Sequence, residues 1–226
     1  MKLFVRPSPQ VQPGGFSIFG LARLAEWICG AVALACFAYV TSVVIDERAF
    51  QARQSKRLAT LVETALHPDH PAAEARRPAR RQVHTGDPIG RLEIASVGIS
   101  SIVTDGVDEL TLQRGIGWMP DTALPGEPGN VAMAGHRDTF FRGLRDLKLG
   151  DEIHLATPTG DFDYRVDSLR VVTPEEIGVL ASTAEPTLTL VTCYPFSYLG
   201  AAPMRYIVRA RQVTKNPDPP IRRGIH

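Results

Sequence analysis

The chain has 226 residues with 44% apolar and 22% charged content, enough for one medium domain with attachments or for two small ones, and wholesale disorder is excluded. Lys and Arg number 25 against 24 Asp and Glu, so the formal charge of +1 supplies no global basic field of the kind that drives nucleic-acid binding. Three cysteines, none paired at C-x-x-C spacing, exclude a disulfide scaffold and a zinc ribbon or finger.

In chain order the first signal follows residues 1–27. Ile28 to Ile45, ICGAVALACFAYVTSVVI, has no charge and no proline. At a rise of 1.5 Å per residue this run covers about 27 Å, close to the roughly 30 Å hydrocarbon core of a bilayer. A membrane span over 28–45 is predicted. It is long for the apolar stretch of a cleaved signal peptide, and no small-residue cleavage site follows it. Lys2, Arg6 and Arg23 precede it while Arg48, Arg53, Lys56 and Arg57 follow it, so the positive-inside rule does not decide the orientation. Cys29 and Cys36 lie within the span, where a thiol behaves as a small apolar side chain. Cys193 is then the one cysteine outside it.

Residues 46–88 form the connection to the rest of the chain. Leu58, Leu61, Val62 and Ala65 recur at the spacing of one helical face, which predicts a stalk helix between Arg48 and Leu66. From His67 to Pro88 the composition changes to four prolines and the cluster Arg76, Arg77, Arg80 and Arg81, the signature of a linker. The arginines are either a solvated charge run or an adhesive patch for anionic lipid or wall polymer. The tail from 214 to 226, with Pro217, Pro219 and Pro220, is expected to be loose.

Only residues 89–213 can build a core. Ile89 to Val103, Asn130 to Ala134, Glu152 to Ala156, Phe162 to Val172, Thr187 to Thr192 and Arg205 to Gln212 read as strands. Asp108 to Arg114 and Glu175 to Ala181 read as short helices. Many short strands punctuated by Gly and Pro predict a mainly β domain, a closed or nearly closed barrel, rather than a parallel sheet with long crossover helices.

The last two strands carry the chemistry. In TLTLVTC, alternation turns Leu188 and Leu190 to the core and Thr189, Val191 and Cys193 to the opposite face. In RYIVRAR, Tyr206, Val208 and Ala210 face the core, and Arg205, Ile207, Arg209 and Arg211 the other side. Antiparallel pairing through the loop from Tyr194 to Met204 would set Cys193 beside Arg205, whose guanidinium can donate to an oxyanion on an attacked carbonyl. A lone free thiol in this domain is a candidate nucleophile. Its histidine partner follows by elimination. His67, His70 and His84 fall in the linker, His226 ends the tail, and His154 reads as an outward strand residue. His136 remains, directly after the apolar run and Gly135. No acidic cluster has the density of a calcium cage, although Asp105, Asp108 and Glu109 share one loop.

TLVTC at Thr189 to Cys193, an arginine twelve residues later and a Gly-His fifty-seven residues earlier resemble the sortases, membrane-anchored cysteine transpeptidases that join proteins to bacterial surfaces. GHRDTFFRGL and CYPFSYLGAAPMRYIV are most similar to class D. The resemblance covers 89–213 and implies a sortase-type barrel behind one N-terminal transmembrane helix. Residues 1–27 would then be cytoplasmic and the catalytic domain extracytoplasmic on a single-pass anchor. It further implies Cys193 as nucleophile, His136 as general acid and base, and Arg205 as stabiliser of substrate and oxyanion. Thr192 is a weaker oxyanion candidate, its side chain alternating toward the core. Val191 and Ile207 are expected to wall the substrate site together with the loop from Val172 to Pro186. Neither cofactor nor metal is expected. The implied partners are surface proteins with a C-terminal LPXTG-like signal and an amine acceptor, a peptidoglycan precursor or a pilin lysine. A membrane-anchored cysteine peptidase, a peptidoglycan transpeptidase and a non-catalytic binding barrel remain as alternatives.

Overall fold

The computed structural model describes residues 18–66, 86–198 and 200–213. Its residues fall into two units, Met1–Asp46 and Glu47–His226. The first helix, α1, runs from Ile18 to Leu66 without interruption, so the apolar span and the stalk are segments of a single element. Within the first unit Trp27, Phe37 and Tyr39 are each more than 70% exposed. An apolar helix of this length, with none of its span buried among the described residues, is a candidate membrane anchor.

The second unit is a closed barrel of eight strands. They are β1 (Pro88–Ile94), β2 (Ile99–Asp105), β3 (Ile116–Trp118), β4 (Asn130–Ala134), β5 (Glu152–Thr157), β6 (Gly160–Val172), β7 (Thr187–Tyr194) and β8 (Met204–Val213). Around the barrel the order is β1, β2, β3, β4, β7, β8, β6, β5, and β5 returns to β1. Closure removes the open edges that a small sheet would otherwise expose. The β2–β3 and β4–β7 pairs are parallel and the others antiparallel. The single extended region read between Ile89 and Val103 is two strands, β1 and β2. A short turn of 3-10 helix, Ala95–Val97, separates them, and Gly98 at φ 66° reverses the chain there.

The core has the composition that alternation predicts. Leu92, Ile94, Val103, Ile116, Met133, Leu155, Leu188, Leu190 and Val208 are almost wholly buried. The barrel domain begins slightly earlier than the apolar pattern indicates. Gly86 N–H donates to the Asp105 carbonyl and Asp105 N–H to that of Asp87, so β2 is already paired two residues before β1 begins. The linker residues 67–85, with all four of the clustered arginines, and the tail 214–226 lie outside the described residues.

The stalk half of α1, from Glu47 on, is part of this domain. Leu58 is buried and Leu61 and Val62 half-buried, as their spacing predicts. Two amides extend the contact. Gln51 accepts from Ile102 N–H at 3.0 Å and donates to the Arg114 carbonyl at 2.7 Å; Gln54 donates to the Gly86 carbonyl at 3.1 Å. The β2–β3 register starts only at Val103 and Ile116, so Gln51 serves the backbone groups just outside that pairing.

Candidate active site

Three neighbouring strands bring the predicted residues together. In the β7–β8 ladder Cys193 lies directly opposite Arg205 and Val191 opposite Ile207. On the other side of β7, the parallel β4 pairs Asn130 with Thr187 and Ala134 with Val191, a constant offset of 57 residues. Gly135 N–H donates to the Val191 carbonyl beyond the last pair. His136 follows two residues past the end of β4, on the side of β7 away from β8. Cys193 and Arg205 thus face each other across β7 and β8, and His136 leaves the strand that flanks β7 on its other side.

Local chemistry explains why each residue stands there. Gly135 is packed so closely that a Cβ would approach Phe141 Cδ2 to 2.8 Å, so a side chain at this position would force the ring or the His136 backbone to move. Thr192 is buried, and its hydroxyl donates to the Gly135 carbonyl at 2.7 Å. That hydroxyl, the weaker oxyanion candidate, is therefore engaged behind the site, where it joins the residue before Cys193 to the residue before His136. Arg205 Nη1 donates to the carbonyls of Ala202 and Met204 at 3.2 and 3.0 Å. The loop it closes thereby fixes the direction of the guanidinium. Cys193 is a partly exposed free thiol.

Sequence reasoning did not anticipate the carboxylate beside the histidine. Glu109 opens the short helix α2 (Glu109–Arg114), and its Oε1 lies 3.9 Å from His136 Nε2. Asp108 caps that helix, accepting from Thr111 N–H and its hydroxyl, bonds that hold its carboxyl below the usual carboxylate range. Of the three acidic residues noted in this loop, Asp108 is thus committed to a helix cap and Glu109 to the histidine's flank. Among the described residues no three His, Cys, Asp or Glu side chains converge as metal ligands. His154 pairs across strands with Asp163 at 2.6 Å, the outward structural position expected of it.

The outward face of β7 and β8 is covered along much of its length. Thr187, Thr189 and Ile207 are buried although they point away from the barrel interior. The β6–β7 loop, with its 3-10 turn Ile177–Leu180, folds over them. Asn130 is the post that holds it: Nδ2 donates to the Val179 and Ala181 carbonyls at 3.1 and 3.3 Å, while Oδ1 accepts from the Thr189 hydroxyl at 2.7 Å. Beneath the loop is an open cavity of about 830 Å³, with Ile207, Arg209, Thr187 and Val179 among its walls. It begins one outward position along β8 from Arg205. The helix read over Glu175 to Ala181 is this 3-10 turn, shorter than expected, with Gly178 in its middle disfavouring a regular helix.

Comparison with known proteins shows which family the chain resembles. A family model described as a sortase domain matches residues 92–213. The chain is 32% identical over 163 residues to sortase D of Bacillus subtilis, covering 72% of this chain and 82% of that protein. Among solved structures it is similar to a sortase D5 transpeptidase of Clostridium perfringens, with a TM-score of 0.60 and 28% identity over 74% of this chain and 99% of that one. Sortase C-1 of Actinomyces oris aligns with a TM-score of 0.52 and 30% identity over 56% of this chain and 74% of its own.

Proposed function

The chain belongs to the sortase family of transpeptidases, with class D enzymes among its relatives, and on that premise we propose that it cleaves an LPXTG-like sorting signal through a thioester on Cys193. The observation that carries this reading is the cross-strand pairing of Cys193 with Arg205, with His136 two residues beyond β4, the strand that pairs with β7 on its other side. Cys193 Sγ attacks the threonine carbonyl of the signal, and Arg205 donates to the oxygen as it gains charge. The carbon–nitrogen bond to glycine then breaks, and His136 delivers a proton to the departing amine. In the second half an acceptor amine attacks the thioester carbonyl, gives its proton to His136 and expels the thiolate.

Val191 and Ile207 support the acyl part of the substrate. They are cross-strand neighbours on the face that leads back from Cys193 toward the cavity under the β6–β7 loop. An extended peptide advances about 3.3 Å per residue, so a leucine three residues before the attacked threonine lies about 10 Å from the thiol. That reach spans the Ile207 end of the cavity. The partners in this reading are surface proteins ending in the signal and an amine of the wall or of a pilin, with α1 as the membrane anchor.

The test is cleavage of LPXTG and LPXTA peptides with and without a primary amine. An amide product that appears only with the amine, together with loss of all turnover in a folded Cys193→Ala variant, is expected. Hydrolysis that ignores the amine would favour the peptidase alternative. Turnover surviving in Cys193→Ala would overturn the nucleophile assignment.

A further inference from the structure

Arg137 follows His136 in the chain but does not join it at the thiol. Its Nη2 donates to the carbonyls of Tyr198 and Gly200 at 2.6 and 3.0 Å, and its guanidinium lies 6.0 Å from the centre of the Tyr198 ring. Both carbonyls belong to the β7–β8 loop, which joins Cys193 to Arg205. At its base this loop is held by aromatic packing, with Phe196 and Tyr206 at 5.3 Å and Tyr194 at 6.1 and 6.2 Å from them. At its crest it is held by Arg137. One side chain therefore ties the strand end bearing His136 to the loop that connects the other two site residues.

The attachment has an unsatisfied component. Arg137 Nη1 is buried and meets no acceptor among the described residues. The two charge-assisted bonds on Nη2 favour the position in which the loop lies against Arg137.

The position of the loop indicates what it governs. The acyl part of a substrate runs back from Cys193 over Val191 toward Ile207, so the leaving and accepting amines occupy the opposite end of β7. There the chain turns into the loop, flanked by His136. We propose that Arg137 is a positioning residue: a latch that holds the β7–β8 loop against the amine end of the site and so sets how the acyl-enzyme divides between an amine acceptor and water. The latch rests on the transpeptidase reading above. A held wall shapes a binding place for the acceptor and limits entry of water, whereas a loose one does neither.

The experiment uses the full chain in detergent micelles, an LPXTG peptide and triglycine as the amine, in wild type, Arg137→Lys and Arg137→Ala. The ratio of transfer to hydrolysis is read by mass spectrometry, the KM for triglycine from initial rates, and the order of the loop from amide hydrogen exchange over residues 196–203. In both variants the ratio is expected to fall about tenfold, the scale of one charged hydrogen bond, with a higher KM for the amine and faster loop exchange. Lysine is expected not to rescue, because a point charge cannot bridge two carbonyls and stack on a ring. A wild-type ratio in the variants, or loop exchange that does not change, overturns the latch. So does a folded variant that loses cleavage altogether, because Arg137 would then act in the first step. A wild-type enzyme that only hydrolyses refutes the transpeptidase reading itself, an outcome distinct from an unchanged ratio between variants.

Discussion

Cys193 is held in place by neighbours whose contacts run into the barrel rather than toward the thiol. Thr192 on its N-terminal side points inward and bonds Gly135, and Gly135 packs against Phe141, so the thiol and the imidazole are referred to the same rigid core. Arg205 is fixed differently, by carbonyls of its own loop, which leaves its fork oriented but partly exposed. A planar fork makes directional bonds to a developing oxyanion that an ammonium does not reproduce. His136→Ala and Arg205→Ala are each expected to lower kcat/KM at least about a hundredfold, the scale of one general acid or one oxyanion donor. Arg205→Lys is expected to recover little of that loss. Steady-state kinetics on a sorting-signal peptide decide both points, and a fully active Lys variant would reduce Arg205 to a charge. Period-two alternation was enough to set Cys193 opposite Arg205, because Leu188, Leu190, Val208 and Ala210 are apolar on one face and these two lie on the other, whereas His136 came from elimination among the histidines. Glu109 could not be found that way. It meets His136 only because α2 brings it across from a separate part of the barrel.

At the scale of elements, two polar side chains do what apolar spacing cannot announce. Asn130 reads as the first residue of a short strand, yet its amide bonds across to Thr189 and to two carbonyls of the β6–β7 loop. Asn130→Ala leaves those groups unpaired and frees the loop over Ile207. The expected result is a KM for the sorting peptide about tenfold higher, with a smaller effect on kcat, as for a lost binding contact. A fall in kcat at constant KM would show that the loop does not wall the substrate site. Gln51 is the second case. Leu58, Leu61 and Val62 announce the packed face of the stalk, but an amide two turns before Leu58 completes the hydrogen bonding of β2 and of the end of α2. Gln51→Ala is expected to lower the stability of the barrel by about 1–3 kcal/mol, the cost of leaving a buried Ile102 N–H and the Arg114 carbonyl without partners. Denaturant unfolding measures it, and an unchanged midpoint would make the stalk a spacer only. The strand β3 also escaped notice, because Ile116–Trp118 is too short for a period to be visible.

For the molecule as a whole, the apolar run within α1 and the barrel were legible because each satisfies a strong constraint over many residues, an uncharged length in one case and closed pairing in the other. Orientation across a membrane was not, since the charges flanking the apolar run nearly balance. Membership of the sortase family supplies the missing term. An enzyme that acts on surface proteins has its thiol where those proteins emerge, so the unit from Glu47 onward is expected on the extracytoplasmic side and the N-terminus inside. The distribution of cysteines makes this measurable. Cys29 and Cys36 lie in the apolar segment and Cys193 in the barrel, so Cys29→Ser with Cys36→Ser leaves one thiol to report. That thiol is partly exposed in the folded domain, which makes it accessible to a polar reagent without unfolding. In intact cells or spheroplasts a membrane-impermeant maleimide is expected to label Cys193 as fully as it does after lysis. Labelling that appears only once the membrane is broken would reverse the orientation, and with it the class of substrate that the thiol can meet.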